Sequence, residues 1–242
     1  MNELSLFSGA GGGLLGTKLL GWTPIGYVEW DDYCQRVIAQ RIRDGFLPEA
    51  PIFGNIKTFI SDGYAASYTG LVDVITGGFP CQPFSVAGKQ KGADDERNMW
   101  PATATVIGIV KPRFVLLENV PGVRTYLPVV VRDLRRRGYE VSRPLVLGAD
   151  DCGAPHRRKR VWIVAHANQK GLSDTQGSGQ DAELNGHRTA GGCSWWNAEP
   201  SVGRVANGVA HRVDRLKAIG NGQVPIVVAT AWELLAVRQE GR

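Results

Sequence analysis

An α/β fold, with a mostly parallel sheet and helices on both faces, is what the sequence predicts from three observations. Short apolar runs of strand length alternate with stretches of helical periodicity, the rhythm of successive βαβ units. The first run, Glu3 to Phe7, passes straight into SGAGGG and then LLGTKLLGW, which reads as strand, glycine turn and helix. At 242 residues the chain has room for one sizeable core, or for one core with a small insert.

The opening helix is expected to end near Gly21. A second strand, PIGYVEW, closes on the acidic Glu29, and DDYCQRVIAQRIRDG follows as a helix. Asp31 or Asp32 is its expected N-cap, because a carboxylate there accepts from backbone N–H groups that the helix leaves unpaired. Further strands are expected at Val72 to Thr76, Phe114 to Glu118, Val141 to Val146 and Val161 to Ala165, with helices around Pro101 to Val110 and Val129 to Arg137. After Ala165 the stretch NQKGLSDTQGSGQDAELNGHRTAGGCS is polar, glycine-rich and free of apolar periodicity, and reads as loop or partial disorder. Apolar order returns at SWWNAEPSVGRV, and a last helix, roughly Val224 to Arg238, is apolar enough to pack back on the sheet. The expected division is a main domain over residues 1–166, completed by 213–242, with 167–212 as a short insert.

The formal charge of +5 and the sequence pI of about 9.1 suit a polyanionic partner. Arginine is concentrated between Arg132 and Arg160, in RDLRRRG and HRRKR; such runs are equally the solvated faces of helices and loops. The four cysteines, Cys34, Cys81, Cys152 and Cys193, lie far apart with no CxxC pair, which suggests neither a metal site nor a disulfide framework. A reducing, cytoplasmic setting is expected. The start, MNELSLFSGAGGG, lacks the signature of a signal peptide, and no run approaches the roughly 20 apolar residues of a membrane span.

Gly11, Gly13 and Gly16 fit the pattern G-x-G-x-x-G after a strand, and Glu29 follows at the spacing of a ribose-binding acid. Any nucleoside cofactor lying across strand ends needs close backbone approach and a carboxylate for its hydroxyls, so NAD and S-adenosylmethionine qualify equally. Glycines that merely permit a tight turn would give the same pattern. Trp30 is placed to stack on an adenine, or to fill the core.

Three further segments, LLENVPGV at 116–123, GAPHRRKRVWIVA at 153–165 and AIGNGQVP at 218–225, follow FSGAGGG, VEWDDY and GGFPCQPFSVAGKQKG. In this order they resemble the motif series of the cytosine-C5 DNA methyltransferases, over most of 4–165 and 215–235. The resemblance implies a Rossmann-like, S-adenosylmethionine-dependent methyltransferase fold with a reduced recognition insert, as in a compact phage or prophage enzyme. It implies S-adenosylmethionine as methyl donor, S-adenosylhomocysteine as product, and double-stranded DNA as partner. A restriction endonuclease or a separate specificity partner is a further implication.

The residues make chemical sense in these roles. Cytosine C5 is a poor nucleophile until a thiolate adds to C6, and Cys81 is the candidate. A thiol of pKa about 8.5 is favoured as thiolate by loop N–H groups at a helix start and by nearby arginines. Glu118 would protonate or hydrogen-bond N3, and Asn119 would position it. The family's two site arginines correspond to Arg158 and Arg160, of which Arg160 is favoured for contact with cytosine. The sequence of steps is attack at C6, methyl transfer to C5, loss of the C5 proton and elimination of cysteine, on a base flipped out of the duplex. The loop from Cys81 to about Trp100, carrying Ser85, Lys89, Gln90, Lys91 and Arg97, resembles the family's mobile loop that closes over DNA, with Gly88 and Gly92 as hinges. The cofactor is placed against Phe7, Gly9, Gly11, Glu29, Trp30, Asn55, Ile56, Pro80 and Asn221.

The chain departs from the family pattern at three places. Asn55 stands where the family has Asp in Gly-Asp-Ile, which predicts weaker cofactor binding. His156 replaces the Gln of Gly-x-Pro-Gln and adds a titrating group. Only about 50 residues separate Ala165 from Ala218, too few and too polar to build a recognition domain with its own core. His187, Arg188, Trp195, Trp196, Arg204 and Arg212 are the groups there that could touch DNA, although the tryptophans also suit packing against the main domain. Three alternatives stand beside DNA methylation: methylation of tRNA, a non-catalytic DNA-binding relative, and an NAD-dependent oxidoreductase resting on the glycine pattern alone.

Overall fold

Apolar strand runs and their helices assemble into an eight-stranded mixed sheet in the computed structural model, which describes residues 1–80, 98–168 and 212–240. The first half runs β1 (Asn2–Leu6), α1 (Gly12–Leu19), β2 (Thr23–Val28), α2 (Asp32–Arg43), β3 (Ile52–Phe53), α3 (Ile56–Ser61) and β4 (Val74–Gly77). It continues with α4 (Trp100–Val110), β5 (Phe114–Asn119), α5 (Leu127–Arg136), β6 (Tyr139–Val141), β7 (Leu145–Leu147) and β8 (Arg160–Ala167). The helices α6 (Arg212–Asn221) and α7 (Pro225–Glu240) close the chain. The strand order is β3-β2-β1-β4-β5-β8-β6, with β7 also paired to β8.

Strands β1 to β5 are parallel, as helix-length connections require, whereas β8 pairs antiparallel with β5, β6 and β7. Only turns and a short 3₁₀ segment at Asp150–Cys152 separate β6, β7 and β8, with no α-helix to make the crossover that parallel strands usually take. The single strand expected over Val141 to Val146 is two. Pro144 lacks an N–H to continue the ladder, and Ser142 bridges the break by donating its N–H to Val164 O (2.8 Å) and accepting from Val164 N at its Oγ (3.0 Å). The two-residue β3 and the six-residue α3 fall below the length at which periodicity is readable.

Alternation along the strands divides the core between the two faces. Leu4, Leu6, Ile75, Val115, Leu117, Val161 and Ile163 pack with α3, α4 and α5. On the other face Val74, Leu116, Trp162 and Val164 pack with Val227, Val228, Ala231 and Leu235 of α7, while Leu14 of α1, Tyr27 of β2 and Ile38 of α2 form a third cluster. Asp31 caps α2, its Oδ1 accepting from the N–H of Tyr33 (3.1 Å) and Cys34 (3.2 Å). Gly16 is where α1 meets α7: a Cβ there would lie 2.6 Å from Pro225 O and 2.6 Å from Val228 Cβ. Among the described residues no helix is long and apolar enough to cross a membrane. The parallel strands all deliver their C-terminal ends to one edge, and the order reverses between β1 and β4, the place where such sheets bind ligands.

Candidate active-site cleft

At that edge β1 ends in Phe7, held at a positive φ of 54°, and the turn is secured by Ser8 Oγ donating to Ser5 O (3.1 Å). The next strand end supplies Glu29, whose Oε2 accepts from Gly9 N (2.6 Å) and whose Oε1 accepts from Asp31 N (2.7 Å). Burial raises the Glu29 carboxyl above its usual range, with the backbone N–H groups of Asp31 and Gly9 pulling the other way. Trp30 is 74% exposed, so it fills no core; its ring stands at the mouth of the cleft.

Two adjoining hollows share Phe7, Trp30 and Pro80. One, of about 450 Å³ and mostly apolar, adds Val28, Asn55, Ile56 and Met99; the other, of about 540 Å³, adds Gly9, Glu29, Glu118, Asn119, Arg160 and Asn221. The two hollows therefore meet at Phe7, Trp30 and Pro80, one of them mostly apolar and the other carrying the charged groups Glu29, Glu118 and Arg160. Of the residues expected to hold a nucleoside cofactor, Phe7, Gly9, Glu29, Trp30, Asn55, Ile56, Pro80 and Asn221 line it. Gly11 lies outside the lining and serves as the left-handed cap of α1, with φ 90°. Asn55 has a second task, its Oδ1 accepting from Lys57 N (2.8 Å) as the N-cap of α3.

Glu118, near the end of β5, has its carboxylate at the floor. Oε1 meets Arg160 Nε at 2.8 Å, with the two side chains 11% and 20% exposed, and Oε2 accepts from Gln223 Nε2 at 3.3 Å. Burial pushes the Glu118 carboxyl up; Arg160 first, then Gln223, oppose it without cancelling it. Arg158, at φ 34°, turns instead to the segment before α7, donating from Nη2 to Gly220 O (2.7 Å) and to Gly222 O, and so fixes the turn that presents Asn221. The other arginine run differs: Arg132, Arg135, Arg136 and Arg137 of α5 and its cap are exposed.

Asn119 points to the segment leading to Cys81 rather than to Glu118. Its Nδ2 donates to Phe79 O (2.9 Å), and its Oδ1 accepts from Val120 N (2.9 Å). The Phe79 ring packs on Trp100 with centroids 5.3 Å apart, Trp100 Nε1 donates to Asp133 Oδ2 (3.0 Å), and Asn98 Nδ2 donates to Tyr126 Oη (3.0 Å). Phe79 and Asn98, which flank residues 81–97 in sequence, are thus both tied to one patch of core. Cys81, Ser85, Lys89, Gln90, Lys91 and Arg97 lie outside the described residues, as do Gly88, Gly92, His187, Arg188, Trp195, Trp196 and Arg204. Arg212 opens α6, and His156 is exposed.

Two residues of the cleft, Lys217 and Cys34, and one partner of Glu118, Gln223, escaped the sequence reading. Lys217 of α6 pairs with Asp31 Oδ2 at 2.6 Å, joining two elements that both line the cleft, and Gln223 reaches Glu118. Asp31 was expected only as a cap; its second oxygen makes this pair, and Lys217 is the first cause of its lowered pKa. Cys34 lines the cleft as well, but burial pushes its thiol up to about 12, so it is inert as a nucleophile.

The family model for C-5 cytosine-specific DNA methylase matches residues 1–194. The chain belongs to this family. Similar curated members include the Type II methyltransferases M.NgoBI of Neisseria gonorrhoeae, 34% identical over 68% of this chain and 50% of the relative, and M.HhaI of Haemophilus parahaemolyticus, 31% identical over 72% and 51%. The chain spans about half the length of the curated relatives it matches. A putative DNA modification methyltransferase encoded within an E. coli prophage superposes with a TM-score of 0.55 at 26% identity, over 72% of this chain and 49% of that one. A DNMT2 from Spodoptera frugiperda, at 22% identity and a TM-score of 0.54 over 74% of this chain and 53% of that one, shows the shared Rossmann-like methyltransferase fold.

Proposed function

We propose that this protein transfers a methyl group from S-adenosylmethionine to C5 of cytosine in double-stranded DNA, with Cys81 as the nucleophile at C6. The observation that carries the reading is Glu118, a buried carboxyl with its oxygens held by Arg160 and Gln223. It shares its cleft with Glu29, Trp30 and Pro80, and Pro80 is the residue before Cys81. Membership of the cytosine methylase family supports the substrate class.

The cleft suits S-adenosylmethionine by chemistry. Trp30, Phe7 and Ile56 offer apolar walls to an adenine, Asn55 an amide, and Glu29 a carboxylate to ribose hydroxyls. When bound, S-adenosylmethionine supplies an electrophilic methyl group. The Cys81 thiolate adds to C6 of the flipped base, and the electron pair of the 5,6 double bond moves towards C5 and N3. Glu118, whose carboxyl burial pushes up from its ordinary range, donates a proton to N3, and Arg160 balances the charge that this leaves on the carboxylate. Once C5 carries the methyl, its proton departs to a base, the C6–S bond breaks, and N3 returns its proton to Glu118. Asn119 and Arg158 act at one remove, holding the start of the Cys81 segment and the turn of Asn221.

The division into a catalytic domain over 1–166, completed by 213–242, with a short DNA-reading insert at 167–212, belongs to the same reading, as does a restriction endonuclease or specificity partner. Mapping labelled methyl groups on duplex DNA and on tRNA tests it. Methylcytosine in DNA is the expected product, and label confined to tRNA would move the substrate to RNA.

A further inference from the structure

Trp162 is 1% exposed, yet among the described residues its Nε1 is the buried side-chain nitrogen or oxygen without a hydrogen-bond partner. A buried donor left unpaired costs about 1–3 kcal/mol, and native interiors rarely tolerate it. The antiparallel register of β5 and β8 sets Trp162 directly opposite Glu118. Both residues line one small cavity of about 50 Å³, on the α1 and α7 side of the sheet. Ser5, Thr76 and Gln223 line it too, so polar groups surround a space large enough for at least one water.

We propose that this cavity is a structural water site in which the water accepts from Trp162 Nε1 and donates to the Glu118 carboxylate. Trp162 then acts as a positioning residue, through the water, on the group that meets cytosine N3. The proposal rests on that reading of Glu118. The logic is one of satisfaction. A carboxylate has more lone-pair directions than Arg160 Nε and Gln223 Nε2 occupy, and an indole offers a donor and nothing else. A water between them satisfies both and steadies the carboxylate where the cavity borders the cleft, the two sharing Phe7, Gly9, Gly78, Glu118 and Asn221. Because the water donates, it favours the charged carboxylate, so its loss shifts the Glu118 titration upward.

A high-resolution crystal structure of the full chain reads the site without any assay. An ordered water within hydrogen-bond distance of both Trp162 Nε1 and Glu118 is expected, and a cavity without such a water overturns the proposal. Trp162→Phe keeps the ring packing while removing the donor. With its melting temperature measured alongside, it is expected to lower kcat roughly 10-fold, the loss of one hydrogen bond to a charged group. It should also move the alkaline limb of the kcat profile to higher pH and leave the KM for S-adenosylmethionine unchanged. An unchanged profile in a folded variant overturns the positioning role. Full activity in Glu118→Gln would instead defeat the reading of Glu118, and with it the role assigned to Trp162, while the crystallographic water remained.

Discussion

Glu3 and Glu118 are two buried carboxyls in one sheet, and their partners set them to different tasks. Glu3 is fully buried between β1, β4 and α1, where Thr76 Oγ1 and Thr17 Oγ1 donate to its two oxygens at 2.5 Å and 2.6 Å. Burial outweighs both hydroxyls and lifts it to about 7. Between about 4.5 and 7 the folded protein keeps a proton that the unfolded chain has released, so stability is lost as pH rises through that window. Glu3→Gln should flatten this loss, which amounts to about 3 kcal/mol at most; urea midpoints at acid and alkaline pH would show it. Glu118→Gln is expected to reduce methyl transfer by ~10²–10⁴-fold while cofactor binding, followed by calorimetry, stays unchanged. That Glu118, Arg160, Glu29 and Trp30 share one cleft was legible in the sequence because each sits in a segment of the motif series that the chain resembles. Glu3 was not, because an acid at the first turn of an apolar strand reads as an exposed end. Gln223 was hidden for another reason: only the folded approach of its segment to β5 makes it a partner of Glu118.

The glycine turn shows how one pattern at the level of elements serves two ends. Gly9 reaches the cleft, where its N–H binds Glu29, whereas Gly16 lets α1 lie against α7. Read from sequence alone, Gly16 belongs to the G-x-G-x-x-G fingerprint and Gly9 to the cofactor residues that the family resemblance implies, because close approach to a ligand and to a helix leave the same residue type. Gly16→Ala should destabilise the protein by about 1–3 kcal/mol through overpacking against Pro225 and Val228, seen as a lower melting temperature, without changing which base is methylated. At the other end of the site, Asn119 fastens β5 to Phe79, and Phe79 rests on Trp100. Asn119→Ala is expected to lower kcat roughly 10-fold, with S-adenosylmethionine affinity preserved, because it loosens the start of the Cys81 segment and leaves the cofactor walls intact. Single-turnover kinetics with a parallel binding titration would separate the two effects. The long helices and β5 and β8 were readable from periodicity; β3 was not, since its two residues take their conformation from pairing with β2.

At the scale of the whole molecule, strand order places chemistry. The reversal between β1 and β4 brings Phe7, Glu29 and Pro80 together from three segments, and β5 adds Glu118 to the same edge. Sequence alternation predicted the parallel half of the sheet. It was silent about the antiparallel β6, β7 and β8, whose connections carry no α-helix, although it is β8 that delivers Arg160 to Glu118. The chain spans about half the length of its curated relatives. On the proposed function, Cys81 and Glu118 serve one cytosine. The most direct test is transfer of labelled methyl from S-adenosylmethionine to mixed-sequence duplex DNA by the wild-type chain and by Cys81→Ser, with cofactor binding measured for both. Labelled methylcytosine from the wild type, none from Cys81→Ser, and equal cofactor affinity are expected. Undiminished transfer by Cys81→Ser would contradict it.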